Sequence, residues 1–272
     1  MKAIITAGGK GTRLFPISRA YPKELIQFCG IPVIEYGINL LRDSGIKDIL
    51  IVAGTKKGAL QDYLGNGEIF GVNIAYVIQE EPKGLGHSVL VAEPHISDDD
   101  FVLLLGDTIF IGKSDLQEMI NIHRKHNASS TILTEYVKDP ERYGVVRFDK
   151  SDAGRIISLY EKPKEQKIKE EFKTDNGWHA IAGLYVLNKS IFNCLRRIPK
   201  GVNNEIQLTD AIGKSLEDGD RIFGHMLNGR RIDVGGWNYL IEEKNFYADM
   251  TNDKLDEIIR SRHEKISNKE KV

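Results

Sequence analysis

The run Ala3-Ile4-Ile5-Thr6-Ala7-Gly8-Gly9-Lys10-Gly11-Thr12-Arg13 sends an apolar, β-branched segment straight into a glycine-rich loop. Ala3 to Thr6 predicts a strand, and glycines at a strand end let backbone N–H groups approach a phosphate with no Cβ in the way. Standing alone, such a loop could equally be a flexible turn. Two familiar phosphate loops do not fit it. A dinucleotide fingerprint needs a third glycine where Leu14 stands and a helix opening at once, whereas Pro16 and Pro22 predict extended chain. A Walker A loop needs Ser or Thr after its Gly-Lys pair, and Lys10 is followed by Gly11. What remains is a long loop carrying Arg13 and, ten residues on, Lys23 within Pro22-Lys23-Glu24-Leu25. Arg13 can fork onto two phosphate oxygens while Lys23 acts as a point charge, the pair that a triphosphate and a departing pyrophosphate require.

Outward from this loop, apolar runs alternate with helix-period stretches, the pattern of an α/β fold with parallel strands and crossover helices. Ile34, Ile38 and Leu41 put one apolar face on a helix opening at Pro32 and closed by Gly45, and Ile49 to Val52 follows as a buried strand. Further strands are expected at Asn73 to Ile78, Phe101 to Leu105, Ser130 to Val137, Tyr143 to Phe148, Ile156 to Tyr160 and Ala182 to Leu187. Helices are expected at Gly86 to His95, Leu116 to His126 and Glu205 to Leu216, the last with Thr209 or Asp210 as its cap. Phe101 to Leu105 stops abruptly at Gly106-Asp107, and strand ends are where open α/β sheets bind ligands. With no repeat, low-complexity tract or linker, residues 1–250 read as one domain. A less regular, partly antiparallel subregion begins near residue 110, and residues 251–272 form a charged tail whose Leu255, Ile258 and Ile259 recur at helical spacing.

The 272 residues are 41% hydrophobic and 28% charged, which excludes collagen-like, coiled-coil and disordered classes. Thirty-eight Lys and Arg against 39 Asp and Glu leave a net charge of -1, so no global basic field exists for nucleic acid or anionic membrane. Cys29 and Cys194, far apart and outside any CxxC spacing, predict reduced thiols and a cytoplasmic protein. No apolar stretch approaches the ~20 residues of a bilayer span. The seven histidines form no ligand constellation, and His123 with His126 reads as a solvated helix face. Trp178 and Trp237 fit either core or a stacking surface, and aromatic residues are more often core.

Gly8 to Leu25 also resembles the signature of the sugar-1-phosphate nucleotidylyltransferases, or NDP-sugar pyrophosphorylases, G-G-x-G-T-R-L-x-P-x-T-x-x-x-P-K, with Ser18 at the usual Thr. Companion motifs recur in order over residues 2 to 245. Gln79 with Gly84-Leu85-Gly86-His87 resembles the base-reading segment, and Gly106-Asp107 the metal-binding strand end. Tyr143-Gly144-Val145-Val146, Glu161-Lys162-Pro163 and Ala182-Gly183-Leu184-Tyr185 resemble the sugar-phosphate pocket, and Asp233-Val234-Gly235 the second metal carboxylate.

The resemblance implies a Rossmann-like, three-layer nucleotidyltransferase fold with a mixed, mainly parallel central sheet and a smaller sugar-binding subregion. It divides the domain into a nucleotide-binding part, about 1–110, and a sugar-phosphate-binding part, about 111–235. Gly8, Gly9, Gly11, Thr12, Arg13, Gln79 and Gly84 would hold the nucleotide, and Gly144, Glu161, Lys162, Gly183 and Tyr185 the sugar phosphate. Asp107 and Asp233 would hold Mg²⁺, which takes one or two protein carboxylates and completes its octahedron with phosphates and water. Arg13, Lys23, Asp107 and Lys162 would carry the chemistry. The implied reaction is transfer of a nucleotidyl group to glucose 1-phosphate from UTP, with dTTP as the alternative, in a homo-oligomer that is a dimer or tetramer. Asn203 stands where many thymidylyltransferases have an arginine on the sugar phosphate. The rival of another class is a non-catalytic regulatory or scaffold relative, and retention of all the charged residues argues against it. A redox protein is disfavoured by the failed dinucleotide fingerprint.

Overall fold

The computed structural model describes residues 1–112, 115–164 and 170–248. A ten-stranded sheet runs β5-β4-β1-β6-β12-β8-β13-β10-β9, with β11 added beside β12. Its first half is built from β1 (Lys2–Ala7), β4 (Asp48–Gly54), β5 (Asn73–Gln79) and β6 (Asp100–Leu105), all parallel. Between β1 and β4 lie a one-turn helix α1 (Ile17–Ala20), the short strands β2 (Gln27–Phe28) and β3 (Ile31–Pro32), and helix α2 (Val33–Asp43). Helices α3 (Gly58–Leu64) and α4 (Leu85–Ala92) flank β5 in sequence. α2 buries Val33, Ile34, Ile38 and Leu41. It ends as its sequence demands: Gly45 adopts φ +81°, its N–H donates to the Arg42 carbonyl at 2.9 Å, and Ile46 N–H reaches back to Leu41.

The second half contains β8 (Ser130–Val137), β9 (Gly144–Phe148), β10 (Arg155–Glu161), β11 (Lys173–Thr174), β12 (Gly177–Asn188) and β13 (Ile222–Met226), with helices α5 (Asp115–His126), α6 (Ile191–Arg197) and α7 (Leu208–Glu217). A separate two-stranded ladder joins β7 (Thr108–Gly112) to β14 (Gly229–Asp233), and helix α8 (Tyr239–Ala248) follows. The sheet is mixed, as the resemblance implies, but parallel pairing is confined to β5-β4-β1-β6 and to β8-β13; the expectation of a mainly parallel sheet holds for the first half alone. β9 and β10 follow one another through a short loop, and a short loop can only return a strand antiparallel. Phe101 to Leu104 in β6 are fully buried, as befits a central strand covered on both faces.

Five local expectations are corrected. Pro16 and Pro22 do not keep the chain extended: 3₁₀ turns form at Thr12–Leu14 and Lys23–Leu25, and α1 lies between them. Each proline sits just ahead of a helical turn, where the N–H it lacks would have had no partner in the turn. Residues 205–207 are extended, and α7 begins at Leu208, so Thr209 and Asp210 lie within its first turn instead of capping it. The backbone of Ile206 is already engaged, its N–H donating to the Lys83 carbonyl at 2.8 Å and its carbonyl accepting from Gly86 N–H at 2.9 Å. His123 is no solvated residue. It is buried on α5, with Nδ1 3.0 Å from Thr131 Oγ1, while His126 stacks on Phe223. Trp178 is buried as expected, but Trp237 is 43% exposed. The helix expected over Gly86 to His95 ends at Ala92 and continues as a 3₁₀ turn containing Pro94. The charged tail lies outside the described residues.

Candidate active site

The site forms where β1, β5 and β6 end and the β7–β14 ladder crosses them. Asp233 is in register with Thr108, and Val234 N–H donates to the Asp107 carbonyl at 2.9 Å, so the ladder sets Asp233 beside Asp107. Gly235 measures how closely the charges converge: a Cβ there would stand 2.7 Å from Arg13 Nη2, 2.7 Å from Asp233 Oδ1 and 3.1 Å from Asp107 Oδ2. Only a glycine leaves room for those three groups. Arg13 Nη1 lies 4.0 Å from Asp233 Oδ2, and Lys23 forms a short, largely buried ion pair with Asp107.

Burial alone would raise the Asp107 pKa, but the Lys23 charge and hydrogen bond outweigh it and hold the carboxyl below its ordinary range. For Lys23 burial opposes the charge, and Asp107 with Glu24 outweighs it, so the ammonium is held above its usual pKa. Behind this pair Glu24 is fully buried and accepts from Lys57 Nζ at 2.5 Å, while its Oε1 has no hydrogen-bond partner. Burial pushes Glu24 upward, opposed by Lys57 and Lys23.

A cavity of about 270 Å³ opens on one side of this cluster. Arg13, Asp107, Gly144, Glu161, Lys162, Gly183, Tyr185 and Asp233, all singled out from sequence, line it together. β12 supplies Gly183 through a register shift between Ile181 and Tyr185, and Gly183 adopts φ +92°, a bulge that re-aims the strand at the cavity. Lys162 Nζ lies 3.1 Å from Glu161 Oε1, and Lys162 itself has φ +42°, rare for a residue with a side chain. Burial and Glu161 raise the Tyr185 pKa.

A second cavity, about 420 Å³, lies on the other side of the glycine loop, lined by Gly8, Gly9, Lys10 and Gln79 with Arg19, Lys56 and Lys57. Gly11 and Thr12 shape the loop without lining either cavity. Gly11 takes φ +64° and its carbonyl accepts from Ser18 Oγ at 2.6 Å, a bond the usual threonine could also make. Gly84, at φ +103°, opens α4 where a Cβ would stand 2.5 Å from the Ile206 carbonyl oxygen. Gln79 is buried, bonded to His87 and Ser88.

Sequence reading missed Arg142, Thr209 and Arg231 in the smaller cavity. Arg231 Nε donates to Glu135 Oε1 at 2.5 Å, and its guanidinium lies 5.2 Å from the Tyr143 ring centroid. A signal was available for it: on a strand, residue 231 shares a face with residue 233.

Asp107 and Asp233 fit a hard divalent cation. Among the described residues no cluster of three or more metal-ligating side chains forms, so a cation there takes its remaining donors from phosphates and water.

A family model described as nucleotidyl transferase matches residues 2–250, and the chain belongs to that family. It is 33% identical over 243 residues to a glucose-1-phosphate thymidylyltransferase of Streptomyces antibioticus, covering 89% of this chain and 65% of that one. It is 33% identical over 259 residues to a UTP–glucose-1-phosphate uridylyltransferase of Bacillus subtilis, covering 86% and 84%. A crystal structure of UDP-glucose pyrophosphorylase complexed with UDP-glucose superposes with a TM-score of 0.80 at 30% identity, covering 91% of this chain and 98% of that one. The chain spans less than two thirds of the length of some relatives, 62% and 65% in two of them. Among the described residues no helix is long and apolar enough to cross a membrane.

Proposed function

We propose that the protein transfers a uridylyl group from UTP to glucose 1-phosphate, giving UDP-glucose and pyrophosphate. The observation that carries this reading is the junction of two cavities at one charged cluster. A nucleotide-side cavity lies beside Gly8, Gly9 and Gln79, a second is lined by Glu161 and Lys162, and Arg13, Lys23, Asp107 and Asp233 converge at the loop between them. The names and titles of the relatives support glucose 1-phosphate as acceptor and divide between UTP and dTTP.

In this reading residues 1–110 hold the nucleotide and residues 111–235 the sugar phosphate. A phosphate oxygen of glucose 1-phosphate attacks the α-phosphorus, the bond to the bridging oxygen of the β-phosphate breaks, and pyrophosphate leaves in line with the electron pair. Two anions must meet at about 3–3.5 Å, so charge neutralisation and positioning supply most of the rate. Arg13 and Lys23 bind the triphosphate and the departing pyrophosphate, while Lys162 holds the incoming phosphate and Glu161 accepts from sugar hydroxyls. Mg²⁺, held by Asp107 and Asp233, would offset phosphate charge at the junction. Substrate phosphates would compete with Asp107 for Lys23, so the ion pair is a resting arrangement from which Lys23 turns to ligand. The same reading makes the chain a cytoplasmic homo-oligomer, a dimer or tetramer.

The test is pyrophosphate release with Mg²⁺ and glucose 1-phosphate, run in parallel with UTP, dTTP, CTP, ATP and GTP. UTP well ahead of dTTP is expected. The reverse order makes the enzyme a thymidylyltransferase. Silence with every nucleotide, and with other hexose and amino-sugar phosphates, overturns the reading in favour of a non-catalytic relative.

A further inference from the structure

We propose that His87 is a positioning residue that fixes the orientation of the Gln79 carboxamide and so selects uracil or thymine over cytosine. The proposal rests on the reading that Gln79 meets the nucleobase.

Gln79 ends β5 only 2% exposed, so its amide cannot satisfy itself with bulk water. Its carboxamide lies against the glycine loop so closely that a Cβ at position 8 would collide with Oε1. The other contacts come from the first turn of α4. Ser88 Oγ is 3.0 Å from Gln79 Oε1, and His87 Nδ1 is 2.6 Å from Gln79 Nε2. These two neighbours are not equivalent. A serine hydroxyl donates or accepts, so it satisfies either face of an amide and cannot choose between them. An imidazole nitrogen works one way in a given state. With the ring neutral and its proton on Nε2, the tautomer this proposal assigns to His87, Nδ1 only accepts, and the side of Gln79 that faces it must be the NH₂. Burial favours the neutral ring, pushing the His87 pKa below its ordinary value; Lys83 on the preceding loop acts the same way and Glu81 opposes.

The orientation matters because the two amide ends are opposite in hydrogen-bonding character. Uracil and thymine present the C4 carbonyl, an acceptor, next to an N3–H donor; cytosine presents an amino donor next to an N3 acceptor. A carboxamide locked one way round matches one of these edges and opposes the other, and turning it over exchanges the two. His87, which decides which way round it sits, therefore decides the pyrimidine without touching it. Gly8 and Ser88 allow the amide its place, and His87 gives it a direction.

The experiment is calorimetric binding of UTP, dTTP and CTP to the full chain, comparing wild type with His87→Phe, which keeps ring volume and removes the acceptor, and with His87→Ala. Wild type is expected to favour UTP and dTTP over CTP by about 5- to 150-fold, the range of one good bidentate contact. Both His87 variants should lose most of that ratio, chiefly through weaker UTP and dTTP binding. Ser88→Ala should weaken all three ligands and keep the ratio. A ratio unchanged in either folded His87 variant, or one that collapses equally in Ser88→Ala, overturns the proposal. Wild type that binds none of the three removes the functional reading and this inference together. Wild type that binds UTP or dTTP yet makes no nucleotide sugar removes the functional reading alone, and the binding ratio still decides the role of His87.

Discussion

Lys162 holds a full side chain in the left-handed region at φ +42°, one residue after the acid it pairs with, and its N–H donates to the Tyr143 carbonyl at 2.9 Å. Such a conformation costs of order 1 kcal/mol and persists where the surroundings hold it in place. Here those surroundings aim an ammonium and a carboxylate into one cavity. If Lys162 holds the incoming phosphate, Lys162→Met should raise the KM for glucose 1-phosphate by about 10- to 100-fold, the loss of one charge-assisted contact, with a smaller change in the KM for the nucleotide. Steady-state kinetics with each substrate varied in turn checks this, and an unchanged glucose 1-phosphate dependence removes Lys162 from that role. Asp107→Asn belongs to the same scale. The amide is the same size and keeps a carbonyl oxygen, but it cannot neutralise a cation or hold Lys23 as a charged partner. Turnover should fall about 100- to 1000-fold with the fold intact by circular dichroism, and activity near wild type would remove Asp107 from the mechanism.

At the scale of elements, the N-terminus of α3 is tied to the turn that carries Lys23. Lys57 precedes α3 and donates to Glu24, whose carboxylate is wholly buried and otherwise unsatisfied at Oε1. Removing one partner of such a pair typically costs about 3–5 kcal/mol, because the other charge is stranded. Lys57→Met should therefore lower the urea midpoint substantially, and Glu24→Gln placed in the same chain should restore part of the loss. The pH dependence has a definite sign. The folded-state pKa of Glu24 is raised above its unfolded value, so the folded chain binds a proton there more readily than the unfolded one. In Lys57→Met, stability should be greatest below the unfolded pKa and should fall as pH rises through the raised folded value. His123 on α5 works in the opposite sense. Burial lowers its pKa despite Asp100, whose Oδ1 lies 3.3 Å from Nε2 without the alignment of a hydrogen bond. The neutral ring is the folded form, so stability should be lost as pH falls from above about 6.5 toward the lower folded value. A urea midpoint that does not drop over that window, or that drops equally in His123→Gln, would sink this account.

The same elements show what a linear sequence discloses. The helix over residues 33–43 and the strands at Ile49–Val52 and Phe101–Leu105 were legible because each declares its face locally, by period or by an unbroken apolar run. The start of α7 was not, because residues 205–207 answer to hydrogen bonds from Lys83 and Gly86, more than a hundred positions away. β7 and β14 were missed because they exist as a pair: β14 carries one apolar residue, Ile232, and the apolar run Ile109 to Ile111 of β7 finds its partner more than a hundred positions away. Of the candidate site residues, the glycine loop, Arg13 and Lys23 stood out by residue type and spacing, and the resemblance supplied most of the others; eight of the candidates line one cavity. Arg142 and Thr209 were not legible, for nothing local marks them until the fold brings them to one cavity, and Arg231 could be read only through the strand face it shares with Asp233.

At the scale of the whole molecule, ligand would bridge two halves of one sheet that differ in construction. The side proposed for the nucleotide is held by parallel strands whose ends were set by local sequence, and the side proposed for the sugar phosphate by antiparallel strands and a bulge set by distant pairing. Asp107 at the end of β6 and Asp233 at the end of β14 belong to different parts of the chain and face each other across Gly235. Lys23 pairs with Asp107 in a largely buried ion pair, while Arg13, 57% exposed, stands 4.0 Å from Asp233, so the cluster keeps a cation turned toward solvent. A triphosphate with Mg²⁺ should satisfy both sides at once. Binding at a hundredfold excess over Kd stabilises a protein by about 2.7 kcal/mol, which for a chain of this size corresponds to a rise in Tm of about 5–10 °C. UTP with Mg²⁺ should give that rise in a thermal melt. UTP with EDTA should give much less, because the triphosphate then adds negative charge to a pair of carboxylates with only Arg13 and Lys23 to offset it. Mg²⁺ alone should do little, because the site supplies only two protein donors and leaves the rest of the shell to water. A rise that survives EDTA in full would place the triphosphate entirely on Arg13, Lys23 and the glycine loop, and would leave the two carboxylates without a shared role in binding it.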